Sequence, residues 1–247
     1  MQARSQLIGR WYPLPPIWLE GRAGLEYARL LRSPIFAGIG VPPGKGRPVL
    51  LIPGFMASDA SLDTMRAWLR RNDYRALRSG INVNATSSEV LVQRIAARVD
   101  TEYRRHGRRI TLVGQSRGGV LAMGVAHRFP QLVERVVSLG SPIGDPLDVH
   151  PSTMAAVHLT RFMHSLRRGP RNMDARFDRE LGEAASVPVT SMYSRTDGIV
   201  HWRACLRPDV HAIEVGGSHV GMGVNVRVYE EIARLLGTPV SGRRAAR

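Results

Sequence analysis

Leu112-Val113-Gly114-Gln115-Ser116-Arg117-Gly118-Gly119 is the stretch that decides how this chain folds. An aliphatic, β-branched run at 110–113 leads into it, and a helix-like run at 120–129 leaves it. The pattern is G-x-S-x-G between a strand and a helix, the setting in which the pentapeptide carries chemistry. A serine on a sharp turn at a strand end stands clear of the backbone. Glycines two before and two after it let strand and helix approach without a Cβ clash. A helix that starts at the serine points its unpaired N–H groups toward developing negative charge. Ser116 is therefore the candidate nucleophile. The plain alternative is a glycine-rich turn with an incidental serine.

Outward from this turn, strand and helix patterns alternate. Strands are predicted at 49–52, 74–77, 110–113, 133–139, 187–193 and 210–215. Helices are predicted at 61–71, 87–106, 120–129 and 227–236. This rhythm predicts an α/β fold, a mostly parallel central sheet with helices on both faces. Residues 48–140 and 187–237 form the expected core. Residues 141–186 interrupt the rhythm and are too long for an ordinary connection, so they read as a small helical cap or lid. Their helix-like run spans 154–166, followed by a polar, basic stretch. Residues 1–47 read as an N-terminal extension, with a helix at 16–31 whose Trp18, Leu25, Ala28 and Leu31 share a face. Residues 238–247 read as a flexible tail.

A serine needs a base, and the base needs an orienting acid. In the strand-turn-helix setting the chain order is serine, acid, histidine. Asp197 follows the strand at 187–193, and His219 lies in the glycine-rich loop after the last strand. Asp145 follows the strand at 133–139 and is the alternative acid. His106, His127, His150, His158, His164, His201 and His211 read as surface or satisfied polar residues. Oxyanion donors are expected from the N–H of Arg117, after the nucleophile, and of Phe55, where Gly54 lets the chain turn after the strand at 49–52. Met56, Met154, Phe162 and Met163, with Phe55, could line an apolar acyl site; the same side chains could simply be core.

A chain of 247 residues suits one domain with a small insertion. Its net charge of +15 comes almost wholly from arginine, since Lys45 is the one lysine. The arginines are scattered and lack interleaved aromatic residues, so they read as a solvated surface and no nucleic-acid partner is expected. The N-terminal segment and the basic surface are the candidates for peripheral membrane contact. No apolar stretch is long enough to span a bilayer, and the N-terminus lacks a signal-peptide pattern. Cys205 stands alone, which fits a cytoplasmic location.

Gly-Gln-Ser-Arg-Gly at 114–118, Ser-Arg-Thr-Asp-Gly-Ile-Val at 194–200 and Gly-Ser-His-Val-Gly at 217–221 resemble segments of the α/β-hydrolase fold family, in particular its bacterial lipase and esterase-like serine hydrolases. Leu-Ile-Pro-Gly-Phe at 51–55 is similar to the oxyanion strand and loop. Many lipases carry His-Gly where this chain has Pro53-Gly54. The resemblance covers about residues 48–237. It implies hydrolysis of a small-molecule or lipid-like carboxylic ester through an acyl-enzyme, with no metal or organic cofactor. An acyltransferase or thioesterase would use the same triad, and a non-catalytic binding protein could share the fold.

Overall fold

The computed structural model describes residues 14–146, 148–157 and 175–240. Six strands, β1 (Pro48–Ile52), β2 (Arg75–Arg78), β3 (Ile110–Gln115), β4 (Val133–Leu139), β5 (Val189–Tyr193) and β6 (His211–Glu214), form one sheet. Their order is β2-β1-β3-β4-β5-β6, and every neighbouring pair is parallel. The helices are α1 (Ala23–Leu31), α2 (Asp63–Arg71), α3 (Ser88–His106), α4 (Arg117–Arg128), α5 (Ala175–Leu181) and α6 (Val226–Gly237).

Strands β1 and β3 are buried along their whole length, which explains why they read as continuous apolar runs. Side chains alternate between two cores because the strand period is two. Leu50, Ile52, Leu112 and Val136 face α3, α4 and α5. Val49, Leu51, Val113 and Val137 face α2 and α6, where Trp68 and Tyr229 pack ring on ring, their centroids 4.7 Å apart. After β1 the chain crosses to β2 on one side, then returns to place β3 on the other. Crevices at the carboxyl ends of strands flanking such a reversal are where ligands bind in open parallel sheets. The ends of β1 and β3 carry Gly54 and Ser116 to that crevice.

Helix α5 falls in a stretch whose composition reads as polar. Phe177 and Leu181 nevertheless sit four apart on one face and join the core. Gly124 on α4 makes room for them: a Cβ there would lie 2.5 Å from Phe177 Cε2. Arg128 then ties α4 to α3 through Glu89 and to α5 through Glu180, with both closest contacts at 2.6 Å. Residues 151–157 are helical, and Met154 on them is half-buried. Phe162 and Met163 lie outside the described residues.

The N-terminal segment differs from its predicted form. A 3-10 helix, Ile17–Arg22, precedes α1. Of the residues read as sharing a face, Trp18, Leu25 and Leu31 are exposed, and α1 instead buries Glu26 and Leu30. The apolar stripe misleads because this helix docks partly through a carboxylate. Behind it, Trp68 Nε1 donates to Ile35 O at 2.8 Å and the Tyr74 hydroxyl to Pro42 O at 2.9 Å, which fixes the connection into β1. None of the described helices is long and apolar enough to cross a membrane.

Candidate active site

The turn from β3 to α4 is as tight as its glycines suggest. A Cβ on Gly114 would collide with the Gly118 backbone, and one on Gly118 with the carbonyls of Ile52 and Pro53. Ser116 between them has φ 53° and ψ −125°, a conformation that costs a non-glycine residue about 1–3 kcal/mol. Its N–H donates to Leu139 O at 2.7 Å, and its carbonyl accepts from Gly119 N at 3.0 Å. Strain held this way by β4 and α4 keeps the hydroxyl at the sheet's carboxyl edge.

Asp197 and His219 meet at the same edge. Asp197 sits on the loop after β5. Its Oδ1 accepts the N–H groups of Ile199 (2.8 Å) and Val200 (2.7 Å), and its Oδ2 lies 2.7 Å from His219 Nδ1. A carboxylate can only accept, so Nδ1 carries the proton and Nε2 is left as the basic nitrogen. Both side chains are buried, at 3% and 5% exposure. Burial pushes His219 toward the neutral form. The charge and hydrogen bond of Asp197, joined by the charge of Glu20, outweigh it and raise the imidazole above its usual pKa. Gly140, at φ 55°, ends β4 beneath the pair: a Cβ there would lie 3.1 Å from both Asp197 Oδ2 and His219 Nδ1. Gln115, beside the serine, donates from Nε2 to His219 O at 3.0 Å, linking the two loops. Asp145 faces a separate cavity of about 660 Å³ with Asp178, Arg207 and Asp209.

The loop after β1 closes the third side. At Gly54 a Cβ would lie 3.3 Å from Ser116 Cβ and 3.9 Å from its Oγ, so the backbone passes directly over the hydroxyl. Asn84, fully buried, braces this loop. Its Nδ2 donates to Pro53 O at 2.8 Å, its N–H donates to Ala57 O, and its carbonyl accepts from Met56 N. The Arg117 guanidinium donates to Asn84 O (3.2 Å), Thr86 O (2.5 Å) and Ser88 Oγ (3.2 Å), so its side chain secures the brace. Phe55 is half-buried, and Met56 is exposed beside it in the left-handed region at φ 59°.

The family described as "Putative esterase" matches residues 70–203, more than half of the chain. The chain belongs to this esterase family. No curated protein sequence matches it significantly. Among solved structures, the mature form of the Bacillus licheniformis lipase BlEst2 superposes with a TM-score of 0.60 at 17% identity, over 79% of this chain and 94% of that one. Aspergillus fumigatus lipase B gives 0.58 at 17% identity over 80% of this chain, which spans 55% of the fungal chain. MGS-MChE2, an α/β hydrolase from a lagoon-sediment metagenome, gives 0.53 at 19%, over 79% and 90%. At these identities the likeness is one of fold, and the fold is that of the α/β hydrolases.

In this esterase-family chain the N-terminal segment also reaches the site, which the sequence alone does not reveal. Glu20 and Glu26 place their carboxylates on the backbone of the loops that carry Asp197 and His219. Their partners lie 178 to 200 positions away, so no local pattern marks them. Among the described residues no cluster of three or more His, Cys, Asp or Glu could hold a metal ion.

Proposed function

We propose that this protein is a serine hydrolase that cleaves carboxylic esters through an acyl-enzyme. Ser116 Oγ attacks the ester carbonyl while His219 Nε2 takes its proton. Asp197 holds the imidazole tautomer and stabilises the imidazolium that forms. The N–H groups of Phe55 and Arg117 receive the oxyanion. His219 returns the proton to the leaving alcohol; water then attacks the acyl-serine, and the carboxylic acid leaves.

The observation that carries this reading is the Asp197–His219 hydrogen bond of 2.7 Å, buried at the sheet edge where the strained Ser116 turn ends β3. A buried carboxylate that orients a histidine at a nucleophile turn has an obvious use in acyl transfer and none in simple binding. The esterase and lipase relatives favour an ester substrate, small or lipid-like. Phe55, Met56 and Met154 are the described side chains offered for its acyl group. Labelling by a fluorophosphonate, with hydrolysis of p-nitrophenyl esters of rising acyl length, tests the assignment. Both should be present in the native chain and absent in Ser116→Ala. Activity that survives Ser116→Ala would remove the serine from the chemistry.

A further inference from the structure

Glu20 lies on the 3-10 helix Ile17–Arg22, an element that buries none of its own residues and leaves Trp18 76% exposed. Its contacts with the domain run to the loops around Asp197 and His219. Glu20 Oε1 accepts the N–H groups of Gly198 and His219, both at 2.8 Å, and Oε2 accepts the N–H of Val220, also at 2.8 Å. One carboxylate therefore joins the residue after Asp197 to His219 itself. Hydrogen bonds to a charged acceptor are stronger than neutral ones, and three on one carboxylate fix its orientation.

We infer that Glu20 is a positioning residue for the histidine base, holding the acid-bearing and base-bearing loops in mutual register. The inference rests on the serine-hydrolase reading above. The surrounding contacts fit it. Gly198 has no room for a side chain: a Cβ would lie 2.8 Å from Glu20 Oε1 and from Pro16 O. Glu26, six residues further on, receives Ser218 N and Ser218 Oγ at 2.9 Å each, immediately before the histidine. Arg22 donates to Thr196 Oγ1 at 3.0 Å, immediately before the acid. The N-terminal segment thus grips both loops on either side of the pair it orders. The charged groups around the imidazole are Asp197 from the β5 loop and Glu20 from the N-terminal segment. Glu26 and Arg22 are each one residue removed from the pair. Glu20 adds negative charge that favours the imidazolium.

Glu20→Gln keeps the size and two of the three acceptor contacts, but it loses the charge and turns an NH2 toward one N–H. In the full-length chain it should fold and label completely with fluorophosphonate. Its kcat should fall about tenfold or more with KM little changed. The acid limb of kcat/KM should move down by about half a unit or more. Glu20→Asp restores charge on a shorter arm, so it should return the limb toward the native position while leaving kcat low. An unchanged rate and pH limb in Glu20→Gln would overturn the inference. So would a lower rate and melting temperature with the limb unmoved, which would make Glu20 a structural tie only. A native chain that fluorophosphonate does not label, or a Ser116→Ala variant that retains turnover, would fail the serine-hydrolase reading first and the role of Glu20 with it.

Discussion

Replacing Asp197 by Asn discriminates most sharply, because the geometry dictates what the amide must do. Asp197 Oδ1 accepts two backbone N–H groups, and Oδ2 faces His219 Nδ1. An asparagine has one oxygen. If that oxygen stays with Ile199 N and Val200 N, the NH2 points at His219. Nδ1 must then accept, so the ring proton moves to Nε2. The base then presents a proton to Ser116 instead of a lone pair. In serine proteases, where this substitution is the known worked case, the wrong tautomer lowers kcat by roughly 10⁴, about 5.5 kcal/mol of barrier. If the amide flips instead, the NH2 faces two buried donors, and leaving them unpaired costs about 1–3 kcal/mol each. Either orientation loses something measurable: rate in the first, stability in the second. The assay is kcat on a p-nitrophenyl ester together with urea unfolding, for Asp197→Asn and Asp145→Asn side by side. We expect a loss of three to four orders of magnitude (roughly 10³–10⁴-fold) or a clear drop in stability for the first, and little of either for the second. Near-native rate and stability in Asp197→Asn, with activity lost in Asp145→Asn, would move the acid to the loop after β4.

Ser116→Ala should lower turnover by about a thousandfold or more, whereas Ser116→Gly should be equally inactive yet more stable by about 1 kcal/mol, because glycine relieves the φ of 53°; chemical denaturation reads the difference. Because the raised His219 must be neutral to act as base, the acid limb of kcat/KM should lie above about pH 6.5, the usual histidine value. The same pairing with Asp197 stabilises the fold fully below that value and is lost as pH rises through the folded pKa. Activity should therefore climb while this share of stability declines, and a His219→Gln variant followed by unfolding across pH should lack the decline. Phe177→Ala should cost about 3–5 kcal/mol with acyl preference intact, since the ring is buried on Gly124. Met154→Ala, half-exposed, should cost under about 1 kcal/mol while blunting the gain of roughly fourfold per added methylene in kcat/KM expected of an apolar acyl site.

How far the sequence was legible follows from the range of the forces involved. The strands and the serine turn depend on local pattern: apolar runs mark β1, β3 and β4, and two glycines mark a turn whose crowding the structure displays directly. Element ends shift by one to two residues in most cases, as at β2, which is read at 74–77 and lies at Arg75–Arg78. The sequence favours Asp197 and keeps Asp145 as the alternative because both follow strands, and only the tertiary path of the β5 and β6 loops decides which one meets His219. Helix α5 is masked in the sequence because Arg176, Asp178, Arg179 and Glu180 surround its two core residues. Glu20, Glu26 and Asn84 carry no local mark in the sequence, for one reason. A carboxylate or amide is buried by partners elsewhere in the chain, and nothing beside it in the sequence signals them.

The contact between Glu20 and His219 spans 199 positions. Bonds of that separation close large loops, and they form late because the entropy of closure must be met before they contribute. During synthesis the N-terminal segment leaves the ribosome long before its partners on the His219 loop exist. It must wait, with Glu20 and Glu26 solvated, until β6 and the loop beyond it emerge. Ordering of this segment against the Asp197 and His219 loops therefore cannot precede synthesis through Val220, and assembly of the sheet does not by itself supply it.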